Sequence, residues 1–279
     1  MTDFDSVYEM DAFDLLRGLP DGSVDAVITD PPYLTTQLSF DKLAIDWAAL
    51  ITECLRVVKP TGAVVLFAAM RTAVAMISAA PKYYRYDWVW TKTKPTGFPS
   101  APLQPLRAHE HILVWSTGVA INGFIAQQHK PMCYNPVMGK GAPYLKFNRK
   151  GSNRGGGMYS ASATDNDTTS ISNGERYPTS VVHYPNPNNG SLHPTQKPLD
   201  LMTYLVKTYT LAGEVIVDPF AGSGTTLRAA QLLGRRYIGC DLSAEYVDIA
   251  RRRLAEPFTL PMFAEDETDI DALAQMGLL

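Results

Sequence analysis

The feature that most limits how this chain can fold is the run Val215-Ile216-Val217 followed at once by Asp218-Pro219-Phe220-Ala221-Gly222-Ser223-Gly224-Thr225-Thr226. A short apolar strand ends on a carboxylate, turns through glycines, and passes into a helix over Leu227–Leu233 that Gly234 stops. The next strand, Tyr237–Cys240, delivers Asp241, 19 residues beyond Gly222. Glycines let a backbone approach a ligand closely. An acid at the end of the second strand is where nucleoside-binding α/β folds place the carboxylate that bonds ribose hydroxyls. The turn lacks both the lysine of a phosphate loop and the G-x-G-x-x-G of a dinucleotide site. It therefore points to a nucleoside without a pyrophosphate, with S-adenosylmethionine as the candidate. A tight turn that holds no ligand is the competing reading, and it leaves Asp241 without a purpose.

The rest of the chain repeats the alternation of strand and helix. Val24–Thr29 reads as a buried strand that ends at Asp30. Asp46–Val58 carries Trp47, Leu50, Ile51, Cys54, Leu55 and Val58 at helical spacing, and Lys59-Pro60-Thr61-Gly62 stops it. Ala63–Phe67 is a further strand, Arg71–Ala80 a helix, and Tyr86–Thr91 and Ile112–Trp115 two more strands. Pro198–Thr210 and Ala244–Leu254 are amphipathic helices. This order predicts an α/β fold with a mostly parallel central sheet flanked by helices. Between residues 118 and 192 the character changes to Gly, Asn, Ser and Pro, with Gly155-Gly156-Gly157 and Ser160–Ser172 reading as loop. A stretch this long without regular periodicity inside an α/β domain is an insertion with a function or a plain excursion.

Asp30-Pro31-Pro32-Tyr33 leaves the Val24–Thr29 strand. Two prolines stiffen the loop and remove two N–H donors. An isolated Pro-Pro is ordinarily just a turn, yet this one sits beside an acid and an aromatic ring. The amino group of an aromatic base is a poor nucleophile, because its lone pair is delocalised into the ring. A carboxylate and a backbone carbonyl that both accept from it would hold the nitrogen toward tetrahedral geometry. A tyrosine would stack on a base turned out of its helix. Methyl displacement onto such a nitrogen rests on positioning and electrostatics. It needs no metal, and no metal-ligand cluster is visible in the sequence.

These motifs, in this order, resemble the DNA amino-methyltransferases of the permuted β group, which modify adenine N6 or cytosine N4. In that group the catalytic motif comes first, the recognition region next and the cofactor motif last. Here the order is Asp30-Pro31-Pro32-Tyr33, a basic insertion, His193-Pro194-Thr195-Gln196-Lys197-Pro198 and the Asp218–Thr226 turn. The resemblance covers residues 7–254 and implies a Rossmann-like S-adenosylmethionine-dependent methyltransferase fold. It divides the chain into a catalytic half (1–117), a target-recognition insertion (118–192), a cofactor-binding half (193–256) and an acidic C-terminal tail (257–279). It implies that Asp30 and the Pro31 carbonyl bind the target amine, with Pro32 in the same loop, and that Tyr33 stacks. Asp218, Pro219, Phe220, Ala221, Gly222, Ser223, Gly224 and Thr225 would form the cofactor turn, and Asp241 would hold the ribose. Thr195 and Lys197 would meet the methionine carboxylate and its surroundings. Asp11, Ala12 and Phe13 stand where the family contacts adenine, although Met10 occupies a position often filled by Gly. His109 and His111 fall on a strand near the target pocket and are expected to be structural or close to DNA. Asp at the first position of the catalytic motif favours adenine N6, since cytosine-N4 relatives more often carry Ser. Protein and RNA amine methyltransferases usually carry Asn there and place the cofactor motif upstream.

The net charge of −3 suits a DNA-binding protein poorly, but its distribution matters more than its sum. From Ala255 onward there are six acids and no Lys or Arg. From Ala120 to Leu192 seven basic residues face three acids. Lys130, Lys140, Lys146, Arg149, Lys150 and Arg154 are the candidate contacts to duplex DNA, with Tyr134, Tyr144, Phe147 and Tyr159 interleaved. A solvated surface loop has the same composition. The three cysteines are too few and too scattered for a disulfide framework. No apolar run is long enough to cross a bilayer. The start, Met1–Asp5, is acidic and lacks an apolar signal core. These features lead us to expect a cytoplasmic enzyme of a bacterial or phage-infected cell, from a restriction–modification pair or acting alone. By the resemblance it would form a homodimer.

Overall fold

The computed structural model describes residues 3–32, 45–120, 130–148, 168–187 and 196–257. From the amino end the chain forms β1 (Ser6–Glu9), α1 (Ala12–Gly18), β2 (Val24–Thr29), α2 (Trp47–Val57), β3 (Val58–Ala68), α3 (Met70–Ala79), β4 (Tyr84–Thr96) and β5 (Arg107–Trp115). It continues through β6 (Gly139–Lys140), β7 (Tyr144–Asn148), β8 (Thr168–Ser172), β9 (Glu175–Arg176) and β10 (Val181–His183). It ends with α4 (Leu199–Tyr209), β11 (Val215–Asp218), α5 (Thr225–Leu232), β12 (Arg236–Asp241) and α6 (Ala244–Ala255).

Eight strands make one sheet in the order β1-β12-β11-β2-β3-β5-β4-β10. The pairs from β1 through β3 are parallel, β5 runs antiparallel to β3 and β4, and β10 is parallel to β4. Every residue of β2 is buried, as happens when both faces of a sheet are covered. On one face Val27, Val64, Leu66 and Val217 pack with Leu15 and Leu16 of α1, Leu50 and Cys54 of α2, and Met76 of α3. On the other, Ile28, Val65, Phe67 and Ile216 pack with Leu201 and Leu205 of α4, Leu227 of α5, and Val247 of α6. The period of two in the strands thus sorts their side chains between two helical layers.

The chain leaves β11 through α5 toward β12, and leaves β2 toward α2 and β3 on the opposite side. The order of strands reverses between β11 and β2, and the carboxyl ends of these two strands border the crevice in which such sheets bind ligands.

The described residues fall into two compact units, the smaller being Pro136–Thr179. It holds two antiparallel ladders, β6 with β9 and β7 with β8, so part of the stretch read as loop, Thr168–Ser172, is a strand. This smaller unit lies inside the stretch 118–192. Cys133 donates its N–H to the Thr61 carbonyl and Asn135 to that of Thr208, within the larger unit. β10 extends the edge of the large sheet, because three parallel pairings satisfy the outer side of β4. β1 and α1 leave no mark in the sequence pattern. Four strand residues and seven helix residues are too few for periodicity to stand out.

Candidate active site

Two aspartates stand at the ends of the neighbouring strands β2 and β11. Asp218 is buried, and its Oδ1 accepts from the Thr29 hydroxyl at 2.5 Å and from the Phe220 N–H at 3.1 Å. Burial pushes its carboxyl up to about 6, although Thr226, Thr29 and the Phe220 N–H oppose the shift. It shapes the turn that follows. Gly222 and Gly224 have φ of 50° and 75°, a left-handed geometry that favours glycine. A Cβ on Gly224 would lie 2.9 Å from the Ala250 Cβ. The turn is tied to β12 by the Ala221 N–H on the Cys240 carbonyl at 2.8 Å and the Gly222 N–H on Asp241 Oδ2 at 3.0 Å. Pro219 lends its carbonyl to the Cys240 thiol. Asp241 also accepts from the Ser243 N–H at 2.9 Å, and burial raises its pKa. The Ser223 hydroxyl donates to Gln196 Oε1 at 3.4 Å, and the Thr225 hydroxyl accepts from Arg253 at 2.9 Å. Asp11 caps α1 by accepting from the Phe13 N–H at 2.8 Å, and Ala12 is buried behind it. The Met10 N–H bonds the Asp241 carbonyl, so the Asp11 cap and the Asp241 carboxylate lie on adjoining strand ends.

Asp30 follows β2 directly, and its Oδ2 accepts from the Lys197 ammonium. Lys197 also lies 3.3 Å from Glu110 Oε2, and the Lys92 ammonium donates to Glu110 Oε1. Burial would pull the Lys197 pKa down, but Asp30 and Glu110 outweigh it and hold it above the ordinary lysine value. Burial would raise Glu110, but Lys197 and Lys92 hold it below the ordinary carboxylate value. A segment expected to face the cofactor carboxylate thus places Lys197 on the Asp30 carboxylate.

A family model described as DNA methylase, of the N6/N4 type, matches residues 24–252. The chain belongs to this family. Two relatives of this DNA methylase, each 27% identical, are the type II methyltransferase M.BglII of Bacillus subtilis and the DNA adenine methyltransferase YhdJ of Escherichia coli K12. The first match covers 89% of the chain and 68% of M.BglII, and the second covers 88% of the chain and 80% of YhdJ. Among solved structures, the M1.HpyAVI–SAM complex superposes with a TM-score of 0.56 at 22% identity, covering 90% of this chain and 99% of that one. The cytosine-N4-specific PvuII DNA methyltransferase superposes with a TM-score of 0.61 at 18% identity, covering 99% and 93%. They share the fold of this DNA methylase.

In this DNA methylase, Asp30, with Pro31 and Pro32 after it, and the Asp218–Thr225 turn follow the adjoining strands β2 and β11, whereas Tyr33 and Thr195 lie outside the described residues. So do Arg149, Lys150 and Arg154, and all but the first residue of the acidic tail. Lys130 belongs to the larger unit and Lys140 and Lys146 to the smaller, and all three are exposed. His111 bonds Asp87 at 3.0 Å and meets His109 edge to face. Glu110, between these histidines, is a charged partner of Lys197 that no motif marks. Its signal was alternation, since Glu110 is in phase with Ile112 and Val114, which face the α4 side of the sheet. Among the described residues no group of His, Cys, Asp and Glu suits a metal ion, and no helix is long and apolar enough to cross a membrane.

Proposed function

We propose that this DNA methylase transfers a methyl group from S-adenosylmethionine to the exocyclic N6 of adenine in duplex DNA. The observation that carries this reading is the meeting of Asp30 and the glycine turn at the end of two adjacent parallel strands, linked through the Thr29–Asp218 bond. The residues present fit the cofactor. Gly222 leaves the turn without a side chain, Gly224 lets the turn pack closely on Ala250, and Asp241 is held by two backbone N–H groups at the end of β12. When bound, S-adenosylmethionine supplies a methyl group activated on a sulfonium sulfur. The chain does the rest by placement. The Asp30 carboxylate and the Pro31 carbonyl accept from the target amine, which keeps its lone pair out of the ring and aimed along one line. The stiff Pro31-Pro32 backbone keeps these acceptors in place. Tyr33 stacks on the extruded base. Lys140 and Lys146 meet phosphates. Once the methyl is transferred, the nitrogen sheds a proton, and Asp30 is the nearest carboxylate to receive or relay it.

The choice of adenine rests on Asp30 at the first position of the motif and on the likeness to YhdJ, named a DNA adenine methyltransferase. The test is expression in a methylation-deficient host, followed by mass analysis of nucleosides and genome-wide mapping of modified bases. N6-methyladenine at a defined sequence is the expected product. N4-methylcytosine alone would overturn the choice of base. Transfer to RNA or protein with none to DNA would overturn the whole proposal.

A further inference from the structure

We infer that Glu110 and Lys92 are positioning residues for methyl transfer: they hold the Lys197 ammonium, and Lys197 holds the Asp30 carboxylate where it receives the target amine. This rests on the function proposed above. Four charges from four separate places in the sequence form one chain. Asp30 comes from the end of β2, Lys197 from the segment before α4, Glu110 from β5 and Lys92 from β4. Their side chains are 21%, 8%, 14% and 8% exposed in that order, so the most accessible member is the one at the crevice. The signs alternate from carboxylate to ammonium and back, and the four sum to zero.

The lysines are walled by aromatic faces. Lys197 lies 5.0 Å from the centre of the Phe67 ring, and Lys92 lies 5.3 Å from that of Trp90. Water therefore screens these charges poorly, and each depends on its neighbours. The pKa directions of Lys197 and Glu110 show that mutual attraction exceeds the cost of burial for both.

A buried chain of ions contributes little to stability compared with apolar side chains of the same size, so stability alone is a weak reason to build one. Orientation is a stronger reason. A carboxylate at the end of a strand can rotate about two side-chain bonds. The contact with Lys197 fixes its Oδ2 and so the plane of the group. Lys197 in turn has a flexible stem, and Glu110 supplies the second anchor that stops it from following Asp30. Lys92 compensates the carboxylate of Glu110, which otherwise would compete with Asp30 for the same ammonium.

The experiment uses the full chain and duplex DNA carrying the recognised site. Single-turnover methyl transfer is read beside separate titrations of S-adenosylmethionine and of DNA. Glu110→Gln keeps the size of the side chain and removes its charge. We expect its transfer rate to fall on the order of 100-fold, the scale on which small misplacements act, with both affinities held within about threefold. Glu110→Gln with Lys92→Met restores electrical balance and is expected to transfer faster than Glu110→Gln alone. A wild-type rate in a folded Glu110→Gln protein overturns the inference. So does a fall in rate matched by equal losses of affinity and thermal midpoint, which marks a structural role. Where Glu110→Gln does not fold, Lys92→Met alone decides: a slowed transfer with unchanged affinities supports the inference, and an unchanged rate sinks it. A wild-type protein that methylates no DNA refutes the proposed function itself, and the wild-type arm separates that failure from the failure of the positioning chain.

Discussion

Asp30 and Asp218 are the same residue at the carboxyl ends of neighbouring parallel strands, each followed by proline, yet their surroundings differ. Asp218 is met by the Thr29 and Thr226 side chains and a backbone N–H, neutral donors that shape a turn and do not balance its charge. Asp30 is met by an ammonium that another carboxylate shares. Burial of the first raises its proton affinity. The second is the more exposed and faces the crevice. Neutral donors suit an acid that has only to organise its own loop. A cation suits one that must keep its direction while it accepts from a substrate.

The comparison breaks most visibly at Asp30. Asp30→Ala is expected to lower methyl transfer by on the order of 1,000-fold, while calorimetric titration shows S-adenosylmethionine still bound. Lost cofactor binding would mean that the two aspartates share one job. The next effect belongs to Asp218. Its folded pKa of about 6 lies above the ordinary value of 3.8. Between these two values the folded state holds the proton and the unfolded state does not, so this group lowers stability as pH rises from about 4 to 6. The span is about 3 kcal/mol as an upper figure. Asp218→Asn should remove that slope when urea unfolding of both proteins is compared at pH 4.5 and pH 7. A variant with the wild-type slope would contradict the assignment. The smallest effect is that of Thr29→Val, which deletes the hydroxyl between the two strand ends. A loss of about 1 kcal/mol in stability is expected, with transfer far closer to wild type than in Asp30→Ala. A collapse of transfer would show that the Thr29–Asp218 bond is part of the catalytic geometry.

The smaller unit, Pro136–Thr179, was only partly readable. Its basic composition was plain, but the pairing of Tyr144 with Ser172 and the cation over its ring from Arg176 depend on residues far apart in sequence. Short strands that pair at a distance leave no local period to find. The edge strand β10 was missed for the same reason, because three residues become a strand only when β4 lies alongside.

By itself the sequence determined the alternation of strands and helices, the two Asp-Pro turns, the glycine turn that follows the second, and the order of motifs that marks the family. These are local properties, since apolar period, proline and glycine act on the backbone where they stand. Only the tertiary structure decided that the two turns are neighbours, that Asp218 is dry and Asp30 is not, and that Lys197, Glu110 and Lys92 stand in line behind Asp30. Charge pairing across a sheet depends on which strands lie side by side and on which face each residue points, and burial then sets how strongly those charges feel one another.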